Sequence, residues 1–200
     1  MIALHPIGAG LPDPPDDAVL PYVEAARRAI ERFGWARTTM RDIATEAGVE
    51  RTTVYRHVGS MPDVYRLLVA HEIRTLVDTI PDRIPAGADG PTMAVELLAA
   101  AVEYCWEHPV LTKVTTDEPE LLAGFVIDGV PAVVERIAEH LTPMFALAGE
   151  TGLLAVADPE AIAQWVARIG LSLLVAPPPG ELRPFLDAVL RPALAPSEAP

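Results

Sequence analysis

Apolar residues recur along this chain at intervals of three and four, the spacing of one face of an α-helix. Val23, Ala26, Ile30 and Phe33 form the first stripe, with Pro21 in its first turn and Gly34 as its stop. Ile43, Ala44 and Ala47 form a second, short stripe behind Thr39, whose spacing to Asp42 is that of a capping box. Gly48 follows, where the chain must turn sharply and only Gly adopts a left-handed conformation cheaply. Val49 and Val54 bracket a third helix. Ser60 with Asp63 repeats the cap ahead of a longer helix over 61–80, carrying Val64, Leu67, Leu68, His71, Ile73 and Leu76. The stretch 81–91, PDRIPAGADGP, breaks the pattern and marks a domain boundary.

Beyond it the spacing predicts a helix over 93–106, stopped by His108-Pro109, and another over 131–148 that contains Pro143. Asp158-Pro159-Glu160 supplies a cap, a first-turn Pro and a first-turn acid for a helix bearing Ile162, Trp165, Val166, Ile169 and Leu173. PPPG at 177–180 ends that helix, and Phe185, Leu186, Val189 and Leu190 mark a last one. Nothing alternates with the period of a strand. The expected fold is all-α, with residues 1–16 a disordered leader, 17–80 one domain and 81–200 a second, and the tail APSEAP frayed.

Charge divides the chain in the same way. The net charge is -13, which argues against nonspecific binding of polyanions. Residues 24–74 nevertheless hold nine Arg against seven acids, while residues 75–200 hold eighteen acids against six bases. The single Cys105 excludes an intramolecular disulfide framework and fits a reducing cytoplasm. No apolar run is long enough to span a bilayer, so no membrane partner is expected. The N-terminus lacks the basic region of a signal peptide.

The local excess of Arg has a chemical reading. Two short helices joined through Ala47-Gly48-Val49 make a helix-turn-helix. Its second helix suits a DNA major groove, which is about 12 Å wide. Early on that helix, Arg51 can give two parallel donors to guanine, and Thr52 and Thr53 offer a hydroxyl and a methyl to base edges. Tyr55, Arg56 and His57 fall where phosphates would run, and Arg41 adds a further local cation. Tyr55 also reads as a side chain half-buried between helices. The Arg are local because the DNA site is local.

The segment from Phe33 to Val69, FGWARTTMRDIATEAGVERTTVYRHVGSMPDVYRLLV, resembles the N-terminal domain of TetR-type transcriptional regulators. The resemblance implies phosphate contacts from Thr39 and Tyr55. It implies a C-terminal helical domain that forms a homodimer and takes a small ligand. Three departures stand out. Glu50 replaces a small polar cap and would repel a phosphate, Val58 replaces an aromatic, and Met61 replaces a Lys that holds a phosphate. Loss of that Lys should lower the salt slope by about one charge.

For the implied dimer interface the residues are Ile162, Trp165, Ile169, Leu173, Phe185, Leu186 and Val189. Small Ala161, Ala167, Gly170 and Ser172 allow two helices per subunit to approach as a four-helix bundle. Trp165 and Ile169 also read as packing inside one subunit. Pocket candidates are Met93, Tyr104, Cys105, Trp106, His108 and Phe125, since aromatics with a polar tip line apolar cavities. His108 reads equally as a helix end, and Met144 and Phe145 as pocket or core. The ligand expected is small, apolar or amphipathic.

An enzyme is not expected. The five His show no metal-ligand spacing with Cys105 or one another, and there is no phosphate loop, dinucleotide fingerprint or nucleophile elbow. No cofactor or metal is called for. The reading is a cytoplasmic one-component regulator, a repressor that binds a palindromic operator as a dimer and is released by ligand. The alternative is an interaction protein that keeps the helix-turn-helix but has weak or lost operator binding, which Glu50 and Met61 favour.

Overall fold

The computed structural model describes residue 7 and residues 10–195. All regular structure among these residues is helical. In chain order the helices are α1 (Leu20–Phe33), α2 (Met40–Ala47), α3 (Arg51–Val58) and α4 (Met61–Thr79), a 3-10 turn at Ile80–Arg83, then α5 (Gly90–Glu107), α6 (Pro109–Asp117) and α7 (Pro119–Gly124). A π-helical stretch at Phe125–Gly129 leads into α8 (Val130–Glu150), followed by α9 (Pro159–Val175) and α10 (Leu182–Leu194).

The chain divides into two compact units. Unit 1 is Met1–Thr75 with Glu107–Val133, and unit 2 is Leu76–Trp106 with Val134–Pro200. The expected boundary at 81–91 therefore lies inside unit 2, and residues 107–133 fold with unit 1. Periodicity shows only a helix stop at His108-Pro109, because the segment after it is rich in Thr and Val, which are poor helix formers. Tertiary packing makes it helical: Pro109 starts α6, and Val110 is buried with Val23, Ile30, Trp35, Tyr65 and Leu68.

Unit 1 has a second apolar cluster, Ala25, Ala26, Ala29, Met40, Ile43, Ala44, Val54, Val58 and Val64, where α1 to α4 meet. Small Ala on α1 let α2 pack close. Of the leader, residues 1–6, 8 and 9 lie outside the described residues, as do residues 196–200 of the tail. Ile7 departs from the expectation of a solvated leader. It is buried, and its Cβ lies close to Gly129.

In unit 2, α5, α8, α9 and α10 share a core that includes Val95, Leu98, Val102, Ala138, Phe145, Ala163, Leu173, Leu186 and Leu190. Asp158 caps α9 by accepting the Ala161 amide at 3.0 Å, as the DPE start predicts. Arg183 on α10 ties to α5: its Nε donates to Glu96 at 2.9 Å, and two further nitrogens donate to Glu103 at 2.5 and 3.0 Å.

Candidate nucleic-acid interface

The helix-turn-helix is fixed by caps and by one glycine. Thr39 precedes α2, and its hydroxyl accepts the Asp42 amide at 3.4 Å while the Asp42 carboxylate accepts the Thr39 amide at 2.9 Å. The Thr39 hydroxyl also donates to that carboxylate at 2.6 Å, and this bond leads the causes that lower the Asp42 pKa. Gly48 ends α2 at φ +68°, ψ +31°. A Cβ there would meet nothing within 4 Å, so the demand for glycine is purely one of backbone conformation.

On α3 two valines anchor the helix and the polar side chains around them reach solvent. Val54 and Val58 are buried, and Arg51, Thr52, Tyr55 and Arg56 are exposed. Thr53 and His57 are intermediate. Val58, where the resemblance leads one to expect an aromatic, fills a core position with a small side chain. Arg51 and Tyr55 lie one turn apart and interact: Arg51 Nη2 donates to the Tyr55 hydroxyl at 2.8 Å, with the guanidinium 5.1 Å above the ring. The i,i+4 spacing carried this signal, which sequence reasoning passed over. Tyr55 is 40% exposed, so its ring is partly covered while its hydroxyl meets Arg51. His57 stacks on Tyr22 of α1, with ring centroids 4.7 Å apart, so its ring is partly committed to packing.

Most acids of the Arg-rich segment are spent internally. Glu24 and Glu31 both bind Arg27, at 2.9 and 2.6 Å. Glu46 on α2 faces Arg28 and Arg32 of α1, at 3.6 and 3.8 Å. Asp63 accepts the Ser60 amide and hydroxyl at 2.9 and 2.6 Å and also pairs with Arg66. The Ser60 bonds, with Arg66 after them, pull the Asp63 pKa down to about 2. Arg41 and Arg56 are exposed and, among the described residues, lie in no ion pair with a carboxylate. The pairs neutralise Arg and acid together, so the segment stays at +2, with Arg41 and Arg56 among the exposed cations that carry it.

Two departures acquire geometry. Glu50 precedes α3 in an extended conformation, and its side chain makes no capping bond. Met61 packs partly buried against both apolar clusters of unit 1, so it serves the core at a position expected to face the DNA backbone.

The remaining candidates are dispersed. Met93, Tyr104 and Cys105 are part-buried on α5, and Trp106 is exposed at its end, all in unit 2. His108 and Phe125 belong to unit 1. His108 precedes α6, is 8% exposed, and has Nε2 3.1 Å from Glu72 Oε2 on α4, which makes it an internal tie. Phe125 packs against Gly129. Of the dimer candidates, Trp165, Phe185 and Val189 are exposed, and Ile162 and Ile169 are partly buried against the unit 2 core. Leu173 and Leu186 are 5% and 1% exposed inside that core and have no surface to offer a second copy. Met144 is exposed and Phe145 buried.

Residues 23–66 match the family of bacterial regulatory proteins described as the tetR family. An uncharacterized HTH-type transcriptional regulator of Mycobacterium tuberculosis is 28% identical over 108 residues, 51% of this chain and 49% of that protein. The chain thus spans about half the length of this curated relative. Among solved structures, the TetR family repressor AlkX of Dietzia sp., implicated in biodegradation of n-alkanes, superposes with a TM-score of 0.66 at 22% identity, covering 86% of this chain and 90% of that one. FadR of Bacillus subtilis in complex with stearoyl-CoA superposes with a TM-score of 0.53 at 14% identity, covering 86% and 95%.

Proposed function

We propose, from the premise that this chain belongs to the tetR family of bacterial transcriptional regulators, that it is a one-component repressor that binds a palindromic operator as a homodimer in the cytoplasm. The observation that carries this reading is the face of α3. Arg51, Thr52, Tyr55 and Arg56 are exposed on a helix anchored in the core by Val54 and Val58, with Arg51 in its first turn. Arg51 reads a guanine, Thr52 and Thr53 read neighbouring base edges, and Thr39, Arg41, Tyr55, Arg56 and His57 hold phosphates. Two copies are needed because one short helix reads few bases. Two-fold symmetry sets a second α3 in the next major groove, about 34 Å along.

Exposed Trp165, Phe185 and Val189 support a dimer face on α9 and α10. A small apolar or amphipathic ligand acts on unit 2, where Met93, Tyr104 and Trp106 are the remaining candidates. Proteins of similar fold are connected with n-alkane degradation and with stearoyl-CoA, which suits a ligand of that character. Ligand favours a state in which the two α3 helices no longer match successive grooves, with α4 as the lever. Linkage then requires operator DNA to weaken ligand binding by the same factor. No catalytic activity is part of this reading.

The test is titration of a labelled duplex from immediately upstream of the gene, across salt, with unrelated duplex as competitor. Tight, competition-resistant binding that falls steeply with salt is expected. The second reading, an interaction protein with weak or lost operator binding, draws on the acidic Glu50 at the start of α3 and on Met61, packed where a phosphate-binding Lys would help. It predicts weak binding indifferent to sequence.

A further inference from the structure

The turn between α1 and α2, residues 34–38, is latched from several sides. The Thr38 hydroxyl and amide both donate to the Gly34 carbonyl, at 2.6 and 3.2 Å. The Tyr65 hydroxyl on α4 donates to the Trp35 carbonyl at 2.7 Å, and the two rings stack with centroids 4.0 Å apart. The Ala36 amide donates to Glu118 Oε2 at 2.9 Å.

Glu118 is the unusual partner. It lies at the junction of α6 and α7, far along the chain, yet in the same unit as the turn. It is 6% exposed, and its second oxygen, Oε1, is buried without a hydrogen-bond partner. Gly34 stands at φ +89°, and a Cβ on it would lie 2.1 Å from that oxygen, so the carboxylate occupies the space a side chain would take. A buried carboxylate with one oxygen unmet is costly to keep.

We infer that Glu118 is a positioning residue for DNA binding. From the α6–α7 junction its carboxylate holds the 34–38 turn, and through it the Thr39 cap and the placement of α2 and α3. The turn runs directly into Thr39, so a shift of the turn moves the whole helix-turn-helix against the rest of unit 1. Residues 107–133 are also the part of unit 1 whose chain neighbours on both sides, residues 76–106 and 134–200, belong to unit 2. The inference rests on the reading of the chain as a DNA binder.

The experiment compares the full-length chain with Glu118→Ala and Glu118→Gln. Affinity for the labelled upstream duplex is measured across salt, with amide exchange at Ala36 and Asp42 alongside. Glu118→Ala is expected to bind roughly tenfold more weakly, the scale of one hydrogen bond to a charged group. Its salt slope stays that of the wild type, because no phosphate contact is removed, and the Ala36 amide exchanges faster. Glu118→Gln keeps an oxygen for Ala36 and restores most of the affinity. Should Glu118→Ala not fold, Glu118→Asp, one methylene shorter, carries the same test. A folded Glu118→Ala chain that binds as tightly as the wild type overturns the inference, even if its melting temperature falls, since that outcome makes Glu118 structural only. A wild-type chain that ignores the duplex overturns the regulator reading itself, a result distinct from wild-type binding with an unaffected variant.

Discussion

Arg51 in the free protein is held by its neighbour one turn on. Its guanidinium donates to the Tyr55 hydroxyl at 2.8 Å, so a bidentate contact to guanine requires it to exchange that bond or to share it. Replacing Arg51 with Ala should cost roughly 1–3 kcal/mol of operator affinity and relax preference at one base pair per half-site. Competition binding with single-base variants of the operator checks this, and unchanged preference would remove Arg51 from base readout. Ser60 and Asp63 make a prediction about pH. Asp63 is lowered from the ordinary 3.8 to about 2 in the folded chain. A depressed carboxylate stabilises the fold above 3.8, and that stabilisation is lost as pH falls toward 2. Ser60→Ala should lower stability by about 1 kcal/mol at neutral pH, the scale of one lost hydrogen bond, since its hydroxyl donates to the Asp63 carboxylate. Denaturation midpoints followed from pH 5 down to pH 2 should then fall less steeply in the variant than in the wild type.

At the scale of elements, the quality of the caps differs along the helix-turn-helix. Thr39 caps α2 with reciprocal bonds, whereas Glu50 gives α3 none. Glu50→Ser should therefore stabilise the chain by about 1 kcal/mol and, on the proposed reading of α3 as the recognition helix, also tighten DNA binding, because a negative charge leaves its N-terminal end. Stability is read by chemical denaturation and affinity by duplex titration. A stabilised variant with no gain in affinity would show that Glu50 does not approach the phosphates. The acids of α1 and α2 were legible only as a net count in the sequence. Their pairing of Glu46 with Arg28 and Arg32, and of Glu24 and Glu31 with Arg27, depends on which faces of the helices meet.

For the whole molecule, the proposed dimer depends on a face that one subunit leaves uncovered. Trp165, Phe185 and Val189 are 37%, 40% and 44% exposed, and covering their remaining apolar surface adds roughly 25 cal/mol per Å². Phe185→Glu combined with Val189→Lys should shift the chain toward monomer in sedimentation equilibrium and weaken operator binding with it. Leu186, one residue along α10, should instead unfold unit 2 when replaced by a charge, since it is 1% exposed within the core. A dimer indifferent to both surface changes would place the interface elsewhere.

The sequence by itself determined the helices other than those of residues 109–129, the caps at Thr39 and Asp158 and the turn at Gly48, because these depend on neighbours within four residues. It also located the Arg-rich helix-turn-helix in residues 39–60, because the cap, the Gly48 turn and the local excess of Arg are all features of neighbouring positions. Only the tertiary structure decided which apolar residues remain at the surface. Trp165 and Leu173 lie on the same expected stripe, yet only Leu173 is enclosed, and periodicity cannot tell a stripe that faces its own core from one that faces outward. It also decided that residues 107–133 fold with the helix-turn-helix and that Glu118 holds the Ala36 amide. A contact across 82 positions of chain leaves no local pattern, since it is made by the way the helices pack.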